Sequence, residues 1–183
     1  MAARQAEVRD ARTIARIEVE TWRNTYAGML SDRLLLGMSV ERQTNLWSTL
    51  LRHGRGRVWV WADEAGSLQG FGNCGPLRQR ALGYEGEISM LYVLPEAQNQ
   101  GIGRQLLVSM FADLVQTGMR SALIWVLRVN PARYFYERLG GKLIATGSMT
   151  VGSGPVDTVA YVWNDLPSLL RREASNGKGL RLR

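Results

Sequence analysis

The pattern of apolar and polar positions predicts helices at the start of the chain. Apolar residues recur at helical spacing over 11–26 and again over about 31–52, where Gly37–Ser39 interrupt the pattern. Both segments are therefore predicted to be amphipathic helices, and Ser39 is a suitable N-cap for the second piece. A short first strand is predicted near residues 6–9, before the first helix.

The middle of the chain predicts strands around one long helix. Segments 58–62 and 68–74 have strand composition and are joined by a short polar loop, which favours a hairpin. Segment 87–95 is an apolar run typical of a strand buried on both faces. An amphipathic helix follows it, beginning near Gly101 and ending at Gly118.

The remaining elements complete the predicted fold. They are a strand at 121–127, a short helix at 131–139 and two closing strands at 142–151 and 156–164. A strand, a crossover helix and a second strand imply one parallel pair, whereas hairpins imply antiparallel pairing. We therefore predict a single α/β (α+β) domain over 5–165, with a mixed, mostly antiparallel sheet flanked by helices. Residues 166–183 are predicted to hold the end of a C-terminal helix and a basic, disordered tail.

Composition narrows the class of protein. The chain has 183 residues, of which 45% are hydrophobic and 21% charged, as in one globular domain. Its longest apolar run, 122–127, is too short to span a bilayer, and its first residues lack the apolar centre of a signal peptide. A lone cysteine, Cys74, and a lone histidine, His53, speak against an intramolecular disulfide and the usual zinc sites. We expect a cytoplasmic protein without a metal and without a membrane partner.

The net charge of +7 raises the question of an anionic partner. Such a charge suits nucleic acid, an anionic membrane or a phosphorylated small molecule. The basic residues are spread along the chain, and no basic stripe alternates with exposed aromatic residues. Nucleic acid is therefore not the expected partner.

A glycine-containing loop before the long helix is the first candidate for chemistry. Two glycines let the backbone approach a ligand, and the free amides and the helix dipole favour an anion such as pyrophosphate. A tight turn is the alternative explanation for the glycines. A dinucleotide fingerprint is disfavoured because Leu106 stands where a third glycine belongs. The loop consists of Gln98, Asn99, Gln100, Gly101, Ile102, Gly103 and Arg104.

These residues resemble a known family. Residues 87–106 look like the acetyl-CoA-binding strand, loop and helix of the GNAT superfamily of N-acetyltransferases, whose pattern Q/R-x-x-G-x-G/A they match. Segment 130–140 resembles the second signature of that family, in which an asparagine begins a short helix that carries a tyrosine. The order of elements agrees over about 5–164. One departure is Gly141, where the family usually has an aromatic residue.

The resemblance implies a role for each matching residue. The backbone of Leu91, Tyr92 and Val93 would pair with the pantetheine arm of acetyl-CoA, and the loop from Gln98 to Arg104 would wrap the pyrophosphate. Asn130 would contact the pantetheine arm, and Tyr136 would protonate the leaving thiolate. Taken without the resemblance, Tyr136 would be a core aromatic residue. The first two helices would line the acceptor pocket with Trp22, Tyr26 and Met29.

An amine acceptor must lose a proton, because a free alkyl amine has a pKa of about 10.4. Glu87 lies eleven residues before Gln98, where histone-acetylating members of the superfamily place their base. A solvated carboxylate at the strand end is the alternative for Glu87, Glu85 is a second candidate, and a water could relay the proton. A backbone N–H near Val93 would hold the carbonyl oxygen.

The predicted function is transfer of an acetyl group from acetyl-CoA to a primary amine of a small molecule or peptide, by direct attack in a ternary complex. A non-catalytic binding module for RNA, ribosomes or CoA, and transfer of a longer acyl group, are the alternatives. The loop at 76–86 carries Arg78 and Arg80, which either meet an acidic acceptor or solvate the surface. A homodimer is expected because members of the superfamily often dimerise.

Overall fold

A mixed sheet of seven strands organises the fold. The computed structural model describes residues 1–54, 57–78, 83–152 and 154–179, and it describes side chains up to Ser175. The order of the sheet is β1-β2-β3-β4-β5-β7-β6, and only β4 and β5 run parallel. The strands are β1 (Ala2–Gln5), β2 (Arg57–Ala62), β3 (Leu68–Pro76), β4 (Gly86–Val93), β5 (Ala122–Leu127), β6 (Lys142–Val151) and β7 (Gly154–Trp163). The predicted fold class is confirmed.

Six α-helices accompany the sheet in the described part of the chain. They are α1 (Ala11–Thr25), α2 (Asp32–Leu36), α3 (Val40–Arg52), α4 (Ile102–Gln116), α5 (Arg133–Arg138) and α6 (Leu166–Gly179). Ser39 caps α3 as predicted, because its hydroxyl accepts the Arg42 amide at 3.4 Å. None of the helices in the described ranges is long and apolar enough to cross a membrane.

The sheet carries helices on both faces. A Cβ built on Gly72 would meet the Met110 side chain, so this face of β3 lies against α4. The neighbouring Phe71 faces the other way and packs edge-on against Trp47 of α3, with ring centroids 5.2 Å apart. Because strand side chains alternate between faces, α1 and α3 cover one face while α4 and α6 cover the other.

A β-bulge in β4 sets which of its side chains share a face. Asn73 pairs with Met90 and Cys74 with Ile88, so Ser89 is the extra residue. Without the bulge, alternation would place Glu87 and Tyr92 on opposite faces. With it, both lie on the face covered by α1 and α3, while Ile88 faces α4.

The first strand prediction was wrong. Residues 8–10 form a short 3-10 turn, and β1 ends at Gln5. The reason is the Asp10 carboxylate, which accepts the Glu7 amide at 2.8 Å and pairs with Arg4 at 2.7 Å. These bonds satisfy the backbone locally, so the strand cannot continue.

A helix occupies most of the C-terminal segment 166–183, which was predicted to hold a helix end and a tail. Helix α6 continues to Gly179, and Leu166 and Leu169 are buried in the core that contains the α4 side chains Leu107 and Phe111. The Ser168 amide donates to Asp165 at 3.0 Å at the start of α6. The apolar face of α6 explains its order. The domain boundary at 165 stays a prediction, and residues 180–183 lie outside the described residues.

Candidate functional site

The two central strands separate and open a gap in the sheet. Strands β4 and β5 pair only at Gly86 with Ala122 and at Glu87 with Leu123. Strand β4 continues to Val93, but in the described part of the chain its edge toward β5 has no strand partner beyond Glu87. Backbone N–H and C=O groups on such an edge are free to pair with an extended ligand. Leu91, Tyr92 and Val93 lie on this part of β4.

The predicted anion loop lies at the end of β4. The Gln98 side-chain amide donates to the Val93 carbonyl oxygen at 3.0 Å and ties the loop to the strand. Asn99 and Gly101 have positive φ angles of 61° and 81°, and Gly101 is the N-cap residue of α4. No side chain caps this end of the helix, so its first amides are available to an anion.

Space at the loop also fits a bound ligand. A Cβ at Gly101 would meet nothing within 4 Å, whereas one at Gly103 would lie 3.3 Å from the Phe135 ring of α5. Gln100 donates to the Glu96 carbonyl oxygen at 3.1 Å, and Ile102 is buried beneath the loop. The loop is therefore held from below and is open above Gly101.

Arg104 is turned toward the C-terminal helix. Its Nη2 atom lies 2.6 Å from Oε2 of Glu173 in α6. The sequence predicted Arg104 as a donor to pyrophosphate, but the structure gives its guanidinium an acidic partner within the protein. Glu173 is a residue that sequence reasoning missed.

Tyr136 is at once a core residue and a candidate site residue. Its ring packs near Phe135, Tyr161 and Trp163, and the residue is 4% exposed. Its hydroxyl has no hydrogen-bond partner among the described residues. Burial, with a smaller effect of Tyr26, raises the pKa of Tyr136 above its ordinary value. The phenol therefore keeps its proton at neutral pH.

The departure at Gly141 has a structural explanation. A Cβ at this position would lie 2.8 Å from the Tyr136 carbonyl oxygen and 3.0 Å from the Trp163 ring. Trp163, from β7, thus supplies the aromatic group at this corner and also donates to the Leu139 carbonyl oxygen at 2.9 Å. The corner is therefore filled by a side chain from β7, which packs against Tyr136.

Asn130 and Tyr26 meet beside Tyr136. Asn130 is 4% exposed, and its Oδ1 accepts the Ala132 amide at 2.9 Å before α5 begins. Burial raises the pKa of Tyr26, while the side chains of Tyr92 and Asn130 oppose the rise. Tyr26 thus lies between β4 and the segment that leads into α5.

An aromatic group from α1 covers this region. Trp22 donates its indole N–H to the Tyr92 hydroxyl at 3.0 Å, and the Trp22 and Tyr26 rings meet edge-on with centroids 5.1 Å apart. The Tyr92 side chain was missed, since only its backbone was predicted to act. Met29 lies in the turn after α1, where its amide donates to the Tyr26 carbonyl oxygen at 2.9 Å.

Glu87 occupies the vertex where β4 and β5 part. It is 8% exposed, and Arg78 donates to both of its carboxylate oxygens, at 2.8 and 3.2 Å. The alternative of a solvated strand-end carboxylate is therefore wrong. The second candidate, Glu85, instead accepts the Arg120 backbone amide. A cavity of about 470 Å³ is lined by Leu77, Arg78, Glu87, Trp125, Gly147, Ser148, Met149 and Thr158.

A buried carboxylate on α1 was also missed. Glu18 is 5% exposed and accepts the indole N–H of Trp47 at 2.7 Å. Burial raises the pKa of Glu18 above its ordinary value. Its spacing of four residues from Trp22 places both on one face of α1, which is the signal that the sequence offered. Arg80 lies outside the described residues.

Comparisons with known proteins agree with this architecture. The family model described as FR47-like protein matches residues 79–149. A Bacillus subtilis protein described as the uncharacterised N-acetyltransferase YuaI is 32% identical over 166 residues, which cover 91% of this chain and 94% of that protein.

Solved structures share the fold. The PaiA N-acetyltransferase of Thermoplasma acidophilum, solved with coenzyme A, has a TM-score of 0.67 at 22% identity and covers 88% of this chain and 98% of its own. The ribosomal-protein-alanine N-acetyltransferase of Brucella melitensis has a TM-score of 0.69 at 21% identity, and the match covers 90% of this chain and 99% of that one. The phosphinothricin acetyltransferase of Sinorhizobium meliloti, solved with acetyl-CoA, has a TM-score of 0.65 at 22% identity. The match covers 90% of this chain and 88% of that one. Together with the parted strands and the glycine loop, these relationships confirm the predicted family: the chain belongs to the GNAT superfamily of N-acetyltransferases and is an acetyltransferase.

Proposed function

We propose that the protein transfers an acetyl group from acetyl-CoA to a primary amine of a small molecule or peptide, by direct attack within a ternary complex. The observation that carries this proposal is the gap between β4 and β5, where the strands part after Glu87 and Leu123. The open end of α4 and the Tyr136 phenol border this gap on one side of the sheet, and Glu87 borders it on the other.

The residues at the gap fit the coenzyme. Acetyl-CoA supplies an acetyl group activated as a thioester. The edge of β4 at Leu91, Tyr92 and Val93 suits the amides of the pantetheine arm, except for the Val93 carbonyl oxygen, which already accepts from Gln98. Asn130 reaches the same region, because its side chain and that of Tyr92 both contact Tyr26. The amides at the start of α4 suit the pyrophosphate, since the loop from Gln98 to Gly103 leaves them uncapped.

Tyr136 is the proposed proton donor. Thiolate leaving groups have a pKa of about 8.5, so a phenol that stays protonated at neutral pH is a matched acid. Its hydroxyl is not engaged by any described side chain, so it is free to donate to the sulfur.

Glu87 is the proposed proton acceptor, acting directly or through water. It lies at the vertex of the gap and faces a cavity large enough for a small amine. Arg78 donates one side-chain N–H to each carboxylate oxygen, and Oε1 keeps a further lone pair that can take the proton of the acceptor. The Val93 N–H, on the free edge of β4, is the proposed donor to the carbonyl oxygen of the acetyl group. One such donor typically lowers the barrier by about 3 kcal/mol.

Calorimetric titration with acetyl-CoA and with free CoA tests the cofactor site. Micromolar binding is expected, followed by thiol release in the presence of amines and peptides. Propionyl-CoA distinguishes acetyl transfer from transfer of a longer group. If neither acetyl-CoA nor CoA bound, the proposal would fail. The cytoplasmic location and the homodimer stay predictions from the sequence.

A further inference from the structure

The acceptor side of the site contains a built ion pair. Glu87 and Arg78 line the same cavity of about 470 Å³ beside the gap. Among the described residues that line this cavity, these two carry the only charges; Leu77, Trp125 and Met149 give it apolar walls, and Ser148 and Thr158 add hydroxyl groups. The cavity is therefore electrically neutral but strongly dipolar.

Glu87 and Arg78 differ in solvent exposure. The Glu87 side chain is 11% exposed, while that of Arg78 is 76% exposed. Arg78 uses Nε and Nη2 to bind Glu87, at 3.2 and 2.8 Å, which leaves Nη1 without a role in the pair. The carboxylate thus lies inside the cavity, and the guanidinium lies at its mouth with donors to spare.

We propose that the acceptor is a zwitterionic amine, with a carboxylate next to its amino group as in a free amino acid, and that Arg78 determines this specificity. The inference rests on the proposed function, because it assigns the substrate class of that same site. The acceptor's ammonium group binds Glu87, and its carboxylate binds Arg78.

Charge balance favours this class over other amines. A zwitterion exchanges partners with the existing ion pair, so the buried Glu87 keeps a cationic partner and Arg78 gains an anionic one. A polyamine brings several positive charges to a single carboxylate that is already paired, in a protein of net charge +7. A simple alkyl amine also pairs with Glu87, but it leaves the exposed Arg78 guanidinium to solvent and gains no contact from it.

The exchange also prepares Glu87 for proton transfer. When Arg78 turns to the acceptor's carboxylate, Oε1 of Glu87 loses its donor and is open to a proton from the ammonium group. The amine nitrogen then forms the bond to the acetyl carbon, the carbon–sulfur bond breaks, and Tyr136 gives its proton to the sulfur. The nitrogen loses its second proton as the amide forms; a proton returns to the Tyr136 phenolate, and Glu87 releases the first proton to solvent. Arg78 is a positioning residue in this sequence, because it acts through Glu87 and the acceptor.

Matched acceptors test the inference. Thiol release is measured with a panel of L-amino acids, each beside its carboxamide and its decarboxylated amine, and kcat/KM is expressed per neutral amine. For the best amino acid, we expect kcat/KM to exceed that of its carboxamide by about tenfold or more, because a charge-assisted pair is lost in the amide. Arg78→Gln should reduce this ratio to about one, and Arg78→Lys should restore part of it.

A matched control and clear contrary outcomes complete the experiment. Arg12→Gln, at an exposed position of α1 outside this cavity, should keep the wild-type ratio. The inference is overturned if the carboxamide or the decarboxylated amine equals the amino acid, if the preference survives Arg78→Gln, or if only polyamines or peptides are acetylated. Lack of acetyl-CoA binding by calorimetry would instead contradict the proposed function itself.

Discussion

Arg104, in the first turn of α4, is paired with Glu173 of α6, with 2.6 Å between Nη2 and Oε2. The C-terminal helix thus places a carboxylate beside the loop that is proposed to hold pyrophosphate. The pair is partly exposed, with side-chain exposures of 47% and 23%, so its members can exchange partners at modest cost. An anion at the start of α4 would compete with Glu173 for Arg104.

Glu173→Gln should therefore strengthen acetyl-CoA binding. Removing the negative charge frees Arg104 and lowers repulsion of the phosphates, and we expect the dissociation constant to fall about threefold, less at high salt. Calorimetry on the wild type and the variant measures the change. In an Arg104→Gln background the same substitution should have a smaller effect. Weaker binding by Glu173→Gln would mean that Glu173 positions Arg104 for the coenzyme.

Gly101→Glu should abolish most coenzyme affinity. The substitution introduces a negative charge at the uncapped end of α4 and strains a residue whose φ is 81°. We expect acetyl-CoA to bind at least about tenfold more weakly. Gly118→Glu is the matched control, because Gly118 follows the same helix at its other end and has a similar φ of 89° with open space around it. If the two variants bound acetyl-CoA equally well, the pyrophosphate would not bind at this loop.

Tyr136→Phe should impair chemistry and leave coenzyme binding intact. The hydroxyl makes no bond to a described side chain, so its loss leaves the packing with Phe135 and Trp163 in place. We expect kcat to fall about 100-fold, as for loss of a general acid, with little change in the acetyl-CoA dissociation constant. Steady-state thiol release and calorimetry separate the two effects. An unchanged kcat would show that another group protonates the sulfur.

The raised pKa of Tyr136 also has a pH signature. A phenol whose pKa lies above its ordinary value of 10.0 keeps its proton to higher pH, so the acid form stays available on the alkaline side. We expect no decline of wild-type kcat from loss of this proton up to about pH 10. A decline of kcat near pH 9 that disappears in Tyr136→Phe would contradict the raised pKa of Tyr136.

The coenzyme side of the site could be predicted from local sequence. Gln98, Gly101 and Gly103 have a fixed spacing between a buried strand and an amphipathic helix, so the sequence of one short segment predicts the loop. Tyr136 and Asn130 were predicted only through the resemblance of segment 130–140 to the second family signature, since the sequence alone would place Tyr136 in the core. Such signals depend on neighbouring residues, which the sequence displays directly.

The acceptor side depends on contacts between distant segments. The Ser89 bulge decides that Glu87 and Tyr92 share a face, yet the sequence around it reads as a regular apolar strand. Glu87 pairs with Arg78 and Arg104 pairs with Glu173, and in both cases the partner comes from another element. The sequence named Arg78 only as a contact for an acidic acceptor, and it did not single out Glu173. The early end of β1 follows from Asp10, whose carboxylate accepts the Glu7 amide.

Glu18 provides a last prediction, on stability. It is buried between α1 and α3 with Trp47 as a donor at 2.7 Å, and burial raises its pKa above the ordinary value of 4.5. The folded state therefore holds this proton more tightly than the unfolded state, and stability falls as the pH rises from about 4.5 through the raised pKa.

Glu18→Gln keeps an acceptor for Trp47 but removes the charge, so it should raise the Tm at pH 7, by about 2–4 °C for each kcal/mol gained. The gain should shrink toward pH 4, where Glu18 is protonated in both states. Glu20→Gln, on the exposed side of the same helix, should change the Tm little at either pH. A lower Tm for Glu18→Gln at pH 7 would mean that the buried carboxylate is stabilised by a positive group, which argues for a place in the acceptor site.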